Sequence, residues 1–273
     1  MQNNFGLLDE ERGFSFRNCK RNESLISSGY KQPNITKTGT TICGVIYKDG
    51  VVLGCDTRTT RGRIVWEKCC EKIYKIQEHI YVAGAGTAAD MDAMVKLMRA
   101  NSEFHRLNTN RQIIPVSYLR TITSRMFFQY SGAISCHFII GGYDNKGPHI
   151  FIVHKEGFTM SLPYATMGSG GYIAMSIFES KWKPDMEENE AKELVADAIT
   201  GGIMNDLGSG SNVDLCIIKK NCSEKIYAYR KVGITGARIF DYSMKHGTTA
   251  VDLKAIKNID VDIIEEKIEK MNI

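Results

Sequence analysis

Gly39-Thr40-Thr41 stands where a polar leader meets an apolar, β-branched run, and it is the triplet here best suited to chemistry. A threonine at a free N-terminus carries nucleophile and base on one residue. Its hydroxyl attacks, and its α-amine takes the proton. An α-amine titrates near pH ~8, so part of it is neutral and basic at physiological pH. Thr40 is internal in the chain as synthesised. The chemistry therefore requires hydrolysis of the Gly39–Thr40 bond, and the chain would be a zymogen. The competing reading is that Gly-Thr-Thr only opens a strand.

Nearby residues could support that nucleophile. Asp49-Gly50 separates two β-branched runs and signals a hairpin. Simple antiparallel register sets Thr40 opposite about residue 59, so Asp56 and Arg58 fall within roughly 10 Å of it. An acidic residue ending an apolar strand needs a partner, because an unpaired buried carboxylate is costly. Lys72, at the start of the next strand signal, is the candidate. The two could serve Thr40 or form a structural ion pair only. Gly84-Ala85-Gly86-Thr87 leads a strand into a helix start. Amides there could bind an oxyanion, or the run could be a plain tight turn.

The elements that must position these residues follow from periodicity. KIYKI and IYVAGAG predict a second hairpin through Glu78-His79. Thr87-Ala88-Ala89-Asp90 has a capping-box pattern, and Met91, Met94, Val95 and Met98 then recur at helical spacing. A second helix opens at Pro115, with Leu119, Ile122 and Met126 on one face. Strands return over 136–143 and 149–154. Helices are expected after Met167-Gly168-Ser169-Gly170 and from about Glu187 to Asp206, before two closing strands. Strands, two helices, strands, two helices and strands predict an α+β fold. Two antiparallel sheets pack on each other, with helix pairs outside, as a four-layer αββα sandwich. Residues 1–39 read as an irregular, removable leader, 40–231 as the domain, and 232–273 as an extension clasping a neighbour.

Bulk properties narrow the function. Net charge is +4, from 35 basic and 31 acidic residues, too mild to argue for nucleic acid. Eight cysteines include no C-x-x-C pair, and Cys69 and Cys70 are adjacent, which fits reduced thiols in a cytoplasmic or nuclear protein. No apolar run is long enough to span a membrane, and the N-terminus lacks an apolar signal core. The six histidines show no metal-ligand spacing, so neither metal nor cofactor is expected. His137, in a strand signal, reads as a core or edge residue. Trp66 reads as a loop residue used in packing.

TGTTICGV, YKDGVVLGCDTR, YVAGAGTAAD, GPHIF, YATMGSG, KPDMEENEAK, NDLGSGSNVDLC and GTTAV together give a specific signature. From Thr40 to Val251 the chain resembles 20S proteasome β subunits, the threonine-protease branch of the N-terminal nucleophile hydrolases, and within them the trypsin-like, second-type branch. The leader and the last twenty residues carry little of the resemblance.

By position, the resemblance implies Thr40 as nucleophile once Gly39–Thr40 is cleaved, Lys72 as the cation lowering its proton affinity, and Asp56 as the carboxylate holding Lys72. It implies Ser169, Asp206 and Ser209 as the network around the α-amine, and Gly86 as the oxyanion amide. Thr60, Cys70, Gly84, Ala88 and Asp92 fall at substrate-binding positions. Gly84 would leave the primary pocket open to a long side chain, and Asp92 would give it an acidic end suited to Lys or Arg. Asp90 and Asp92 equally suit a helix first turn. Tyr74 stands where a histidine is expected, and Thr59-Thr60-Arg61 replaces Ala-Thr-Glu. Arg61 and Arg63 add positive charge near the cleft, against a basic preference. The resemblance implies no cofactor, unfolded protein or peptide as substrate, and other α and β subunits as partners in a 28-subunit, four-ring particle. A structural ring subunit that keeps its leader, or a bacterial-type ring protease, are the competing readings.

Overall fold

The computed structural model describes residues 17–31 and 38–232, with Gly247 and Asp262 described singly. The elements are α1 (Arg17–Ser27), β1 (Thr41–Tyr47), β2 (Gly50–Asp56), β3 (Thr59–Arg61), β4 (Ile64–Glu67), β5 (Ile73–Gln77), β6 (Ile80–Gly86), α2 (Ala88–Thr109) and α3 (Val116–Gln129). They continue through β7 (Cys136–Asp144), β8 (Gly147–Val153), β9 (Thr159–Ser161), β10 (Tyr164–Gly168), α4 (Gly171–Lys181), α5 (Glu188–Asn205), β11 (Asn212–Lys219) and β12 (Ser223–Lys231). All belong to the first of two units, which divide after Ile234.

Two five-stranded antiparallel sheets form, ordered β10-β1-β2-β11-β12 and β5-β6-β7-β8-β9. Period-two alternation gives each strand two apolar faces, and each face has its own core. Ile42, Leu53, Cys55, Ala83, Ala85, Ile139 and Ile152 fill the layer between the sheets. Cys43, Val45 and Val52 turn the other way, toward Phe178, Val195 and Ile199 of α4 and α5. Val82, Phe138 and Ile140 meet Met91, Met94, Met98 and Leu119 of α2 and α3. This is the expected αββα sandwich. The eight cysteines are unpaired, and Cys43, Cys55, Cys136 and Cys216 lie in these cores.

Several local expectations need correction. Tyr47 pairs with Gly50, so the turn is Lys48-Asp49 and Gly50 is already strand. The register moves by two, and Thr40 lies level with Thr57, not residue 59. Thr87 caps α2 without a side-chain hydrogen bond. Asp90 instead accepts the Ser135 N–H at 2.9 Å, tying the helix start to the approach to β7. The capping box is on α5, between Glu187 and Glu190. Pro115 is the cap of α3 and not its first residue. The leader contains a helix, α1, and Trp66 lies on strand β4, 66% exposed, under the Arg61 guanidinium at 5.4 Å. The 164–168 run is a strand paired with β1. The GTTAV segment and the expected charged helix near the C-terminus lie outside the described residues, Gly247 excepted.

Candidate active site

Asp56 ends β2 fully buried, and its carboxylate is saturated by donors. Oδ1 accepts the Thr41 N–H at 2.9 Å, and Oδ2 accepts those of Arg58 and Gly210 at 3.2 and 3.0 Å. The fourth donor is Lys72, whose Nζ lies 2.8 Å from Oδ1. The Lys72 side chain is only 4% exposed. Burying an ammonium at the end of a strand is tolerable only with such a partner, and removing one member of a buried pair costs about 3–5 kcal/mol. The fixed ammonium also donates to Thr40 Oγ1 at 3.1 Å. So Lys72 bridges the buried carboxylate and the threonine hydroxyl.

Thr40 enters β1 still joined to Gly39. Its hydroxyl donates to the Gly39 carbonyl oxygen at 2.7 Å, and its N–H donates to Ser169 Oγ at 3.0 Å. The hydroxyl thus lies against the carbonyl of the bond whose cleavage would free the threonine amine. A side chain on Gly39 has no room, since a Cβ there would stand 2.4 Å from Gly208 Cα and 2.9 Å from Ser169 Oγ.

Asp206, Ser169 and Ser209 converge on the other side of Thr40. Asp206 Oδ2 accepts from Ser169 Oγ at 2.6 Å and from Ser209 Oγ at 2.7 Å, while Oδ1 accepts the Gly208 N–H at 3.0 Å. Burial opposes ionisation of Asp206. The two hydroxyls, the Gly208 N–H and the Lys72 cation outweigh it and hold the carboxyl below the usual carboxylate range. Ser209 Oγ also lies 2.7 Å from the buried Thr41 hydroxyl, a link that nothing in the sequence pattern singled out. Thr40, Asp56, Lys72, Ser169, Asp206 and Ser209 are therefore brought together.

Gly86, the last residue of β6, has φ +140°, and a Cβ there would lie 2.3 Å from the Ser135 carbonyl oxygen. Only glycine suits that backbone. With Thr40 it lines a cavity of about 600 Å³.

The residues expected to bind substrate do not line that cavity. Thr60 is buried on β3, Cys70 is half-buried, and Ala88 is exposed at the start of α2. Asp92 is exposed and paired with Lys96 at 2.7 Å. The space beside Gly84 is not open: a Cβ there would meet Met91 Sδ at 2.9 Å and the Phe138 ring at 3.1 Å. Met91 and Phe138 therefore stand directly beside Gly84. Burial, with Cys70, Cys55, Glu71 and Asp92 adding, pushes the Tyr74 phenol up to about 12. Sequence reasoning also missed His137, His154, Tyr172 and Met175 as cavity walls. Alternation along β7 was the available signal. Phe138 faces the helices and Ile139 the inter-sheet layer, so His137 shares the face of Ile139.

The family described as Proteasome subunit matches residues 36–218. Proteasome subunit beta type-7-B of Arabidopsis thaliana is 48% identical over 217 residues, covering 80% of this chain and 79% of its own. Proteasome subunit beta type-2 of Saccharomyces cerevisiae is 42% identical over 258 residues, 94% of this chain and 98% of its own. Proteasome subunit beta type-10 of Bos taurus is 37% identical over 269 residues, 98% of each.

Proposed function

The chain belongs to the proteasome β-subunit family, and from that premise we propose that it is a catalytic subunit, a threonine endopeptidase matured at Gly39–Thr40. The observation that carries this reading is Lys72 Nζ held between Asp56 Oδ1 and Thr40 Oγ1. A structural ion pair alone would not require the Lys72 ammonium within hydrogen-bond reach of the threonine hydroxyl.

In maturation, Thr40 Oγ attacks the Gly39 carbonyl carbon, and the nearby Lys72 cation lowers the proton affinity of that hydroxyl. The Gly39–Thr40 C–N bond breaks, and the acyl group passes to Oγ as an ester. The nitrogen takes a proton and becomes the free α-amine. Water hydrolyses the ester and releases the leader. In the mature subunit the same oxygen attacks a substrate peptide carbonyl. The α-amine accepts its proton and delivers it to the leaving amine, while the Gly86 N–H helps stabilise the oxyanion. Water then hydrolyses the acyl-enzyme. Ser169, Asp206 and Ser209 orient the amine.

Asp92 and the glycine at 84 support cleavage after basic residues, while Met91, Arg61 and Arg63 weigh against it. The family supports assembly with other proteasome subunits. The finer picture is a seven-membered β ring, two of which stack between α rings, with residues 232–273 clasping a neighbour, in cytoplasm and nucleus.

Thr40→Ala tests the reading. The assembled variant should keep its leader and lose this subunit's peptidase activity by on the order of 10⁴-fold or more. Undiminished cleavage by particles carrying only this site would reject it.

A further inference from the structure

The cavity beside Thr40 has a wall that the proposed chemistry does not use. His137 on β7 and His154, which follows β8, line it with the apolar side chains of Met167 and Met175. The two imidazoles meet edge to face, centroids 5.5 Å apart and planes at 80°. His137 Nδ1 is enclosed and has no hydrogen-bond partner among the described residues. Burial and then His154 hold the His137 ring below the ordinary histidine range, with Lys155 acting the same way and Glu156 against. A neutral imidazole offers one donor and one acceptor, so each ring lining the cavity brings hydrogen-bonding capacity to it.

The position of the cavity says which part of a substrate would meet these two rings. It includes Thr40 and Gly86 but none of Thr60, Cys70, Gly84, Ala88 or Asp92, the residues assigned to the acyl side. A peptide crossing Thr40 must send its leaving-group residues the other way. Thr38 lies on the cavity wall in the uncleaved chain, so loss of the leader opens the space. Among the described residues no carboxylate lines the cavity to repel an anion, and the methionines suit the methylene stem of a glutamate.

Resting on the peptidase reading, we infer that His137 and His154 form a leaving-group subsite that selects an acidic side chain, glutamate above all, just after the scissile bond. The imidazole N–H groups donate to its carboxylate, and the carboxylate in turn favours their protonated form. In this role the histidines determine specificity and take no part in bond breaking.

The test uses the assembled particle with its other nucleophiles replaced, so that only this site cuts. Peptides sharing one acyl side and carrying Glu, Gln or Lys in the first two positions after the scissile bond compete in one reaction, with products read by mass spectrometry. Glu should exceed Lys in kcat/KM by about fivefold or more. His137→Ala and His154→Ala, which remove the donors, should each reduce that ratio toward one, and His137→Asn, which keeps a donor, should retain part of it. The ratio is internal to each variant, so a general loss of activity does not move it. A wild-type ratio near one, or a ratio unchanged in both His137→Ala and His154→Ala, overturns the inference. A coumarin amide, which has no residue beyond the scissile bond, separates the two readings. If the wild-type site cuts it without any leaving-group preference, the subsite alone fails. If the site cuts nothing, the peptidase reading fails and takes the subsite with it.

Discussion

At the scale of single residues, the site is a short chain of charges and hydroxyls in which each group fixes the next. Lys72 can sit buried because Asp56 holds it, and three backbone N–H groups saturate the rest of the Asp56 carboxylate. Lys72→Ala removes the cation at Thr40 and should leave the leader uncleaved, with activity down by at least about 10²-fold; intact-mass analysis of the assembled particle checks it. Asp206 makes a different prediction. Its carboxyl lies below its ordinary range when folded. The stability it contributes is therefore complete above the unfolded value of about 3.9 and is lost as pH falls through the folded value. The melting-temperature gap between wild type and Asp206→Asn should be wide at pH 6 and narrow toward pH 3, and a constant gap would contradict this. The acid–base partners Asp56 and Lys72 were legible from the sequence because a charge at the end of an apolar strand demands a partner. Ser169, Asp206 and Ser209 were legible only through the family resemblance, since Ser209 is a local neighbour of Asp206 but no spacing rule brings Ser169, 37 positions away, onto the same carboxylate.

At the scale of elements, the site exists because β1, β2 and β10 run side by side and the tight turn after β1 returns Asp56 to Thr41. The alternating apolar strands announced both hairpins and the two-sheet sandwich. The register was misread by two because Asp-Gly looked like the turn itself, while the chain turns at Lys48-Asp49 and uses Gly50 within the strand. The capping box on α2 was misread because Asp90 has a tertiary partner, the Ser135 N–H, that no local pattern reveals. β10 and the small β3–β4 hairpin went unseen because runs of only three to five residues depend on their partners for stability. Leu53 is fully buried in the layer between the sheets, three residues from Asp56. Leu53→Ala should cost about 2–5 kcal/mol and lower the denaturation midpoint. A shift under about 1 kcal/mol would mean that this layer is not the core that braces the strand.

At the scale of the whole molecule, the described residues form one sandwich whose charges, glycines and hydroxyls meet at a single peptide bond, the one that the proposed maturation would cut. The 600 Å³ cavity, the Lys72 ammonium and the Gly39 carbonyl all face Thr40. On the proposed peptidase reading, the leader is both the last obstacle to activity and the first substrate. N-terminal sequencing of this chain from the native particle tests that claim most directly. The account predicts a start at Thr40, which creates the catalytic amine; a start upstream of Gly39 in the mature particle would contradict it and leave a structural subunit carrying an unused site.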